Sequence, residues 1–379
     1  DNSIILQGKN HEELVTYKEI IIKIPLERKL IDIDNLKLGY TIMGSKNILY
    51  ENINSFDPIN KDLKYIDHTR ESANYSDFPF ISEIKDSGYI YIKQGNHTID
   101  KPLYLPSGKK IYLFNNTSIN MIDSAMIFSR SPFYMLGTTE YPISLYSSDF
   151  TGEGMILMET GEQSVLEHVN FSNFAFQSDL SWGKTGAVTF YKSPVEMRFC
   201  SFYGNNSEDA LNIIQSDFTI QNTVFSKNKF DAFDADFSKG IIKNSSFYFS
   251  GNDGLDFSGS NVELETVLFS NIKDKAISVG EVSIVKAKDI KISKSNMGIV
   301  SKDKSSIIIN NIDIDSTNIA MAVFQKKSEF GSSKIEAMRA NIQRCKHKFW
   351  VENGSELVVN KEVIKPNIRN VRSILYNED

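Results

Sequence analysis

From residue 209 onward the chain repeats one pattern about every 22 residues. Its segments are Asp209-Ala-Leu-Asn212, Asp231-Ala-Phe-Asp234 and Asp253-Gly-Leu-Asp256, each followed by a turn and an alternating run: SDFTIQNTVF, SKGIIKNSSF and SNVELETVLF. Phe225, Phe247 and Phe269 recur at the same spacing, as do Leu211, Phe233 and Leu255. A repeat this short, alternating apolar residues with polar turns, predicts one coil of a parallel β-helix. Strands of neighbouring coils lie about 4.8 Å apart, so residues one repeat apart become neighbours on a surface. The repeat therefore predicts a stripe of carboxylates.

The chain of 379 residues has room for two ordinary domains or one long solenoid. With 41% hydrophobic residues it has the composition of a folded protein, and no apolar run approaches the length of a membrane span. The net charge of −6 argues against a general nucleic-acid binder. The sequence opens on Asp1 rather than Met, which leads us to expect that a leader or anchor has been removed. Cys200 and Cys345 have neither disulfide-framework nor metal-type spacing and are expected to be free thiols.

Residues 1–85 do not follow the coil pattern and are expected to form a small β-rich domain or a cap. VTYKEIIIKIPL alternates like a strand, and LKLGYTIMGSKNILYENI offers further strand material. Residues 86–379 are expected to form the β-helix and a C-terminal cap, with regular strands from about Gly88. Ile292 and Ile314 take the place of the inward phenylalanines, the first of these coils carrying one extra residue. A later coil needs an insertion of about six residues around Gln325 to Ser332 to stay in register, and solenoid insertions map to loops. Helix signal is weak, and the leucine pattern of a leucine-rich repeat is missing, so the expected fold is all-β.

Alternation points Leu211, Phe233, Leu255, Ile277 and Ile299 inward and places Asn212, Asp234, Asp256 and Ser278 outward in one column. Ile214, Asp236 and Ser258 follow two places on. Asp209, Asp231 and Asp253 form a corner column continued by Lys275. Each like-charge contact between neighbouring coils costs roughly 3 kcal/mol before screening at an effective dielectric near 20. A bound cation, a raised pKa or a nearby lysine relieves that cost, and Lys275 is placed to do so. Lys302 and the pair Lys326 and Lys327 lie on later coils, so the acidic patch grades into a basic one. Asp and Asn also favour coil corners for their side-chain bonds to the backbone, which by itself accounts for the corner column. His168 reads as an outward residue, and Trp182, Tyr191 and Tyr203 as aromatic candidates for stacking on sugar rings.

From about Gly88 to Phe349 the chain resembles the right-handed parallel β-helix superfamily, through its coil pattern. The stretches GTTEYPISLYSSD and TGAVTFYKSPVEM look like β-helix regions of bacterial surface and exported proteins. The superfamily is dominated by carbohydrate-active enzymes. The Asn-Thr-Asp, Asp-Asp, Gly-His-Gly and Arg-Ile-Lys signatures of its polygalacturonases do not occur here. The resemblance therefore implies a polysaccharide lyase or epimerase, in which carboxylates hold Ca²⁺ and a base removes a proton beside a uronate carboxylate. Carried onto this chain, Asp231, Asp234, Asp236 and Asp256 become metal ligands, and Lys275, Asp234 and Asp256 the catalytic groups. Asp253, Asp209, Asn212, Lys302 and Tyr191 become substrate contacts. The resemblance further implies a polysaccharide partner and an extracellular, cell-surface or periplasmic bacterial location. Two alternatives stay open: a non-catalytic glycan-binding or adhesion module, and a glycoside hydrolase using stacked Asp residues.

Overall fold

The computed structural model describes residues 37–40, 47–52, 68–84, 87–175 and 185–376. The chain divides into two compact units, residues 1–64 and 65–379. In the first unit Lys37–Tyr40 pairs antiparallel with Leu49–Asn52. The VTYKEIIIKIPL segment lies outside the described residues, as does Trp182.

The second unit is a parallel β-helix. One face is an 11-stranded sheet that takes one strand from each coil. It includes Gly186–Tyr191, Asp209–Ile214, Asp231–Asp236, Leu255–Ser258, Lys275–Gly280, Met297–Lys302 and Ile319–Phe324. A 20-stranded sheet forms the rest of the wall. In the later coils its strands are ten residues long, such as Lys239–Tyr248 and Asn261–Ser270. Each bends at one left-handed residue: Asn244, Thr266, Asp289, Asn311 or Arg339.

Inside, one side chain per coil stacks on its equivalent in the next. Phe171, Phe202, Phe225, Phe247 and Phe269 form a continuous column, with ring centroids 4.9, 4.6, 4.7 and 5.1 Å apart. Leu211, Phe233, Leu255, Ile277 and Ile299 form a second fully buried column. The ring spacing matches the inter-strand distance, so strand pairing and aromatic stacking reinforce one register.

The pairing register also locates the two irregularities. Ser258 pairs with Gly280, whereas Asn261 pairs with Ile284, so the extra residue sits in the turn between them. Lys302 pairs with Phe324, whereas Ser306 pairs with Lys334, which places a six-residue insertion between Phe324 and Lys334.

One corner carries a device that the sequence reading missed. Ser193, Ser216, Ser238, Ser260, Ser283, Ser305 and Ser333 each donate a backbone N–H to the Oγ of the equivalent serine one coil on. These bonds measure 2.7 to 3.3 Å. Left-handed residues precede the serines, among them Gln215, Phe237 and Val282, so the backbone turns away from the strand ladder there. The hydroxyl supplies the acceptor that the interrupted ladder lacks. Ser238→Ala leaves the buried N–H of Ser216 unpaired and is expected to cost about 1–2 kcal/mol in urea unfolding. An unchanged midpoint would remove the ladder from the account of stability.

Both ends of the helix are closed. Before the first coil, Asn74 Oδ1 accepts the N–H of Tyr104 at 2.8 Å, and Phe78 and Ile81 join the core. After the last, Glu356–Val359 pairs antiparallel with Glu362–Ile364, and the helix Val371–Tyr376 follows. Val371, Leu375 and Tyr376 of that helix pack on Met297, Val300, Ile319, Ala322 and Phe324. The C-terminal segment therefore covers part of the outer face of the 11-stranded sheet.

Candidate functional site

The acidic columns stand in the expected register. Asn212 pairs with Asp234, Asp234 with Asp256 and Asp256 with Ser278. Asp209 lies opposite Asp231, and Asp236 opposite Ser258. The same outer column is apolar toward both ends. Tyr104, Phe128 and Ile156 precede the polar residues, and Val300 and Ala322 follow them. The carboxylates thus occupy a polar window between two apolar patches on one sheet face.

Outward placement does not make these residues exposed, contrary to the simple alternation reading. Asn212 is 1% exposed, Asp209 and Asp253 2%, Lys275 5% and Lys302 7%. Close neighbours shield them. Asn212 Nδ2 donates to Asp209 Oδ2 and to Thr185 Oγ1, both at 3.0 Å, and to Asp234 Oδ2 at 3.3 Å. Asp231 Oδ1 accepts the Asp253 N–H at 2.6 Å, and Asp253 Oδ1 accepts the Lys275 N–H at 2.9 Å.

Lys275 is an ion-pair partner. Its Nζ lies 3.3 Å from both oxygens of Asp253 and 2.5 Å from Asp274 Oδ2. Burial favours loss of its proton, but the two carboxylates outweigh burial and hold the ammonium well above the ordinary lysine range. Unless a cation offsets these carboxylates, Lys275 is placed as their salt-bridge partner rather than as a proton-abstracting base. Lys302 donates to Ser278 Oγ at 2.9 Å and lies 3.8 Å from Asp256 Oδ1.

Six carboxylates, those of Asp209, Asp231, Asp234, Asp236, Asp253 and Asp256, therefore face two buried ammonium groups. Burial, and then the neighbouring carboxylates, raise the carboxyls of Asp231, Asp234 and Asp236, that of Asp236 to about 6. One oxygen each from Asp231, Asp253 and Asp256 lies within 4.8 Å of the other two. Oxygens that close together approach the spread that one Ca²⁺ spans with ligands at about 2.4 Å. Asp256 Oδ1 is buried and, among the described residues, has no hydrogen-bond partner. The donor set thus fits a hard cation. It differs from the set expected from sequence: Asp253 is a member, and Asp234 and Asp236 lie outside the tight trio.

The other candidates disperse. Tyr191 lies in the column of Ile214 and Asp236, half-buried against the apolar patch of Tyr104, Met126, Phe128, Ile156 and Met158. Tyr203 belongs to the other sheet, and His168 sits at the bend between two of that sheet's strands, where it stacks on Phe199 at 4.8 Å. Cys200 is buried with its thiol pushed up to about 12 by burial, and both cysteines are free. The most exposed aromatic beside the stripe among the described residues is Phe237, 62% exposed, immediately after Asp236. It is left-handed (φ 50°) and rests against Gly259, where a Cβ would fall 2.6 Å from its ring. An apolar residue at a polar corner is its only sequence signal.

Neither a protein-family profile nor any curated protein sequence matches the chain. Solved structures share the architecture. A double mutant of the periplasmic alginate epimerase AlgG is 11% identical, over 74% of this chain and 79% of that one, with a TM-score of 0.47. The catalytic domain of a GH87 alpha-1,3-glucanase variant in complex with nigerose is 11% identical, over 67% of this chain and 61% of that one, with a TM-score of 0.40. The mannuronan C-5 epimerase AlgE4 A-module of Azotobacter vinelandii is 13% identical, over 72% of this chain and 91% of that one, with a TM-score of 0.38. At these identities the likeness concerns the fold alone. The chain is a parallel β-helix protein with a carboxylate-rich window on one sheet. Among the described residues no helix is long and apolar enough to cross a membrane.

Proposed function

We propose that this protein is a carbohydrate-active enzyme, exported to the periplasm or cell exterior, that acts on an acidic polysaccharide by lyase or epimerase chemistry. The observation that carries this reading is the trio Asp231, Asp253 and Asp256, in which the buried Asp256 Oδ1 accepts no hydrogen bond from any described residue. These residues would hold Ca²⁺, which when bound neutralises a uronate carboxylate and stabilises the charge that develops beside it. Asp236, with its carboxyl raised to about 6, is suited to accept the proton from the ring carbon next to that carboxylate. Asp234, its carboxyl raised well above the ordinary value by burial and by the neighbouring carboxylates, is suited to donate to the departing glycosidic oxygen. The proton leaves one carbon, the adjacent carbon–oxygen bond breaks, and the double bond between the two carbons completes an elimination. Return of the proton to the opposite face gives epimerisation instead.

Thermal unfolding with Ca²⁺ against EDTA tests the metal. The wild-type melting temperature is expected to rise with Ca²⁺, and the rise to vanish in Asp231→Ala/Asp256→Ala. Incubation with alginate and polygalacturonate tests the chemistry, through ultraviolet absorbance of unsaturated products or NMR of inverted sugars. Asp236→Asn is expected to lower the rate by about 100-fold or more. A Ca²⁺-independent melting temperature would remove the metal from this reading.

A glycoside hydrolase is the second reading, favoured by the raised carboxyl of Asp234 directly opposite Asp256 in the next coil. It predicts new reducing ends without unsaturated product.

A further inference from the structure

The six-residue insertion brings a lysine to the basic end of the window, and that lysine stands apart from its neighbours. Lys275 pairs with Asp253 and Asp274, Lys302 with Asp256, and Lys327 with Glu281. Among the described residues Lys326 has no carboxylate within ion-pair distance. Its place is nonetheless closely defined. The N–H groups of Lys326 and Lys327 donate to Asp303 Oδ1 at 2.7 and 2.6 Å, and Arg372 donates to the Lys326 carbonyl at 2.9 Å. Glu352 ties the insertion to the C-terminal helix, accepting from Gln325 N at 2.8 Å and from Val371 N at 3.0 Å. The Lys326 ammonium lies 4.6 Å from the centre of the Tyr376 ring. Among the described residues the buried hydroxyl of Tyr376 has no hydrogen-bond partner.

We propose that Lys326, Lys302 and Tyr376 form an anion-binding site, between the insertion and the C-terminal helix, that takes the carboxylate of an acidic sugar residue. The inference rests on the polysaccharide reading above and names the group recognised next to the acidic window. An ammonium over an aromatic ring, on a backbone fixed from several sides and with no anion, is a charge awaiting a partner, and an unpaired buried hydroxyl is a donor awaiting an acceptor. A carboxylate answers both. Burial, together with Lys302 and Lys275, pulls the Lys326 ammonium below its ordinary value, and an arriving anion relieves that. The site lies where the outer face changes from carboxylates to lysines, so an acidic chain lying along that face can meet both the cation trio and this pocket.

The test is calorimetric titration of the full chain with trigalacturonate, using neutral maltotriose as control, with EDTA present throughout. Wild type is expected to bind trigalacturonate and not maltotriose. Lys326→Met is expected to weaken binding by about tenfold or more. Lys326→Arg is expected to retain most of it, and the remote Lys346→Met all of it. On wild type, reductive methylation read by mass spectrometry should show trigalacturonate slowing modification of Lys326 but not of Lys327. Absence of binding, equal binding of both sugars, unaltered affinity in Lys326→Met or unprotected Lys326 would each overturn the site. Because EDTA removes the metal, binding that survives here while no polymer is converted in a separate assay with Ca²⁺ would uphold this site and sink the catalytic reading. Conversion unaffected by Lys326→Met would do the reverse.

Discussion

Lys275→Met is expected to destabilise the protein by about 3–5 kcal/mol at pH 8, measured by urea unfolding. The side chain is 6% exposed and sits between Asp253, itself 2% exposed, and Asp274. Removing it leaves the Asp253 carboxylate buried without its counter-charge. Asp253 cannot turn to water, because its Oδ1 also accepts the Lys275 backbone N–H. Burial raises the Asp253 carboxyl to about 8 even beside Lys275, so the loss is expected to shrink toward pH 5, where protonating it costs less. The double variant Lys275→Met/Asp253→Asn is expected to recover part of it, because an amide needs no counter-charge. A single variant within 1 kcal/mol of wild type at pH 8 would show that the pair contributes little beyond its cost of burial.

Asp234→Asn is expected to act in the opposite direction, raising the melting temperature at pH 8 by several degrees. The carboxyls of Asp231, Asp234 and Asp236 are raised in the folded chain, so the folded state binds their protons more tightly than the unfolded state does. Their contribution is fully present below the unfolded carboxyl value of about 4 and is lost as pH rises through the folded values. For Asp236 that value is about 6, and for Asp231 about 7. Without added cation, the wild type should therefore be more stable at pH 5 than at pH 8. Asparagine at 234 imitates the protonated acid, keeps an acceptor for Asn212 Nδ2, and removes the repulsion at high pH only. Its advantage should vanish near pH 4. A parallel offset at all pH values would assign the effect to packing. Gained stability with lost conversion would identify the stripe as a functional cluster whose repulsion the fold tolerates.

The contrast between these two substitutions shows how far local pattern reaches. Both residues lie on the outer face of one sheet, and spacing alone placed both: Asp234 beside Asp256, and Lys275 one coil beyond Asp253. What differs is company. Asp234 meets other carboxylates, while Lys275 lies between two carboxylates, one contributed by its own sequence neighbour and one by the preceding coil. Register was legible because inward Phe and Leu recur at a fixed interval and strand pairing tolerates no slip of one residue. The insertion after Phe324 was legible for the same reason, as a break in that interval.

Burial was not legible. Alternation says which face a side chain takes, and it equates outward with wet only if nothing lies over that face. Here Tyr376 and its helix come back over Val300 and Ala322, and neighbouring polar side chains close over Asn212 and Asp209. Lys326 and Tyr376 are 50 residues apart in the chain, and no periodicity links an irregular loop to a terminal helix. The sequence by itself determined the coil, its inward columns and the carboxylate register, because all three follow from a repeat whose period sets which backbone groups pair. Only the tertiary structure decided which carboxylates converge, which lysine lacks a partner and which outer positions are dry, because those depend on long-range packing of segments outside the repeat.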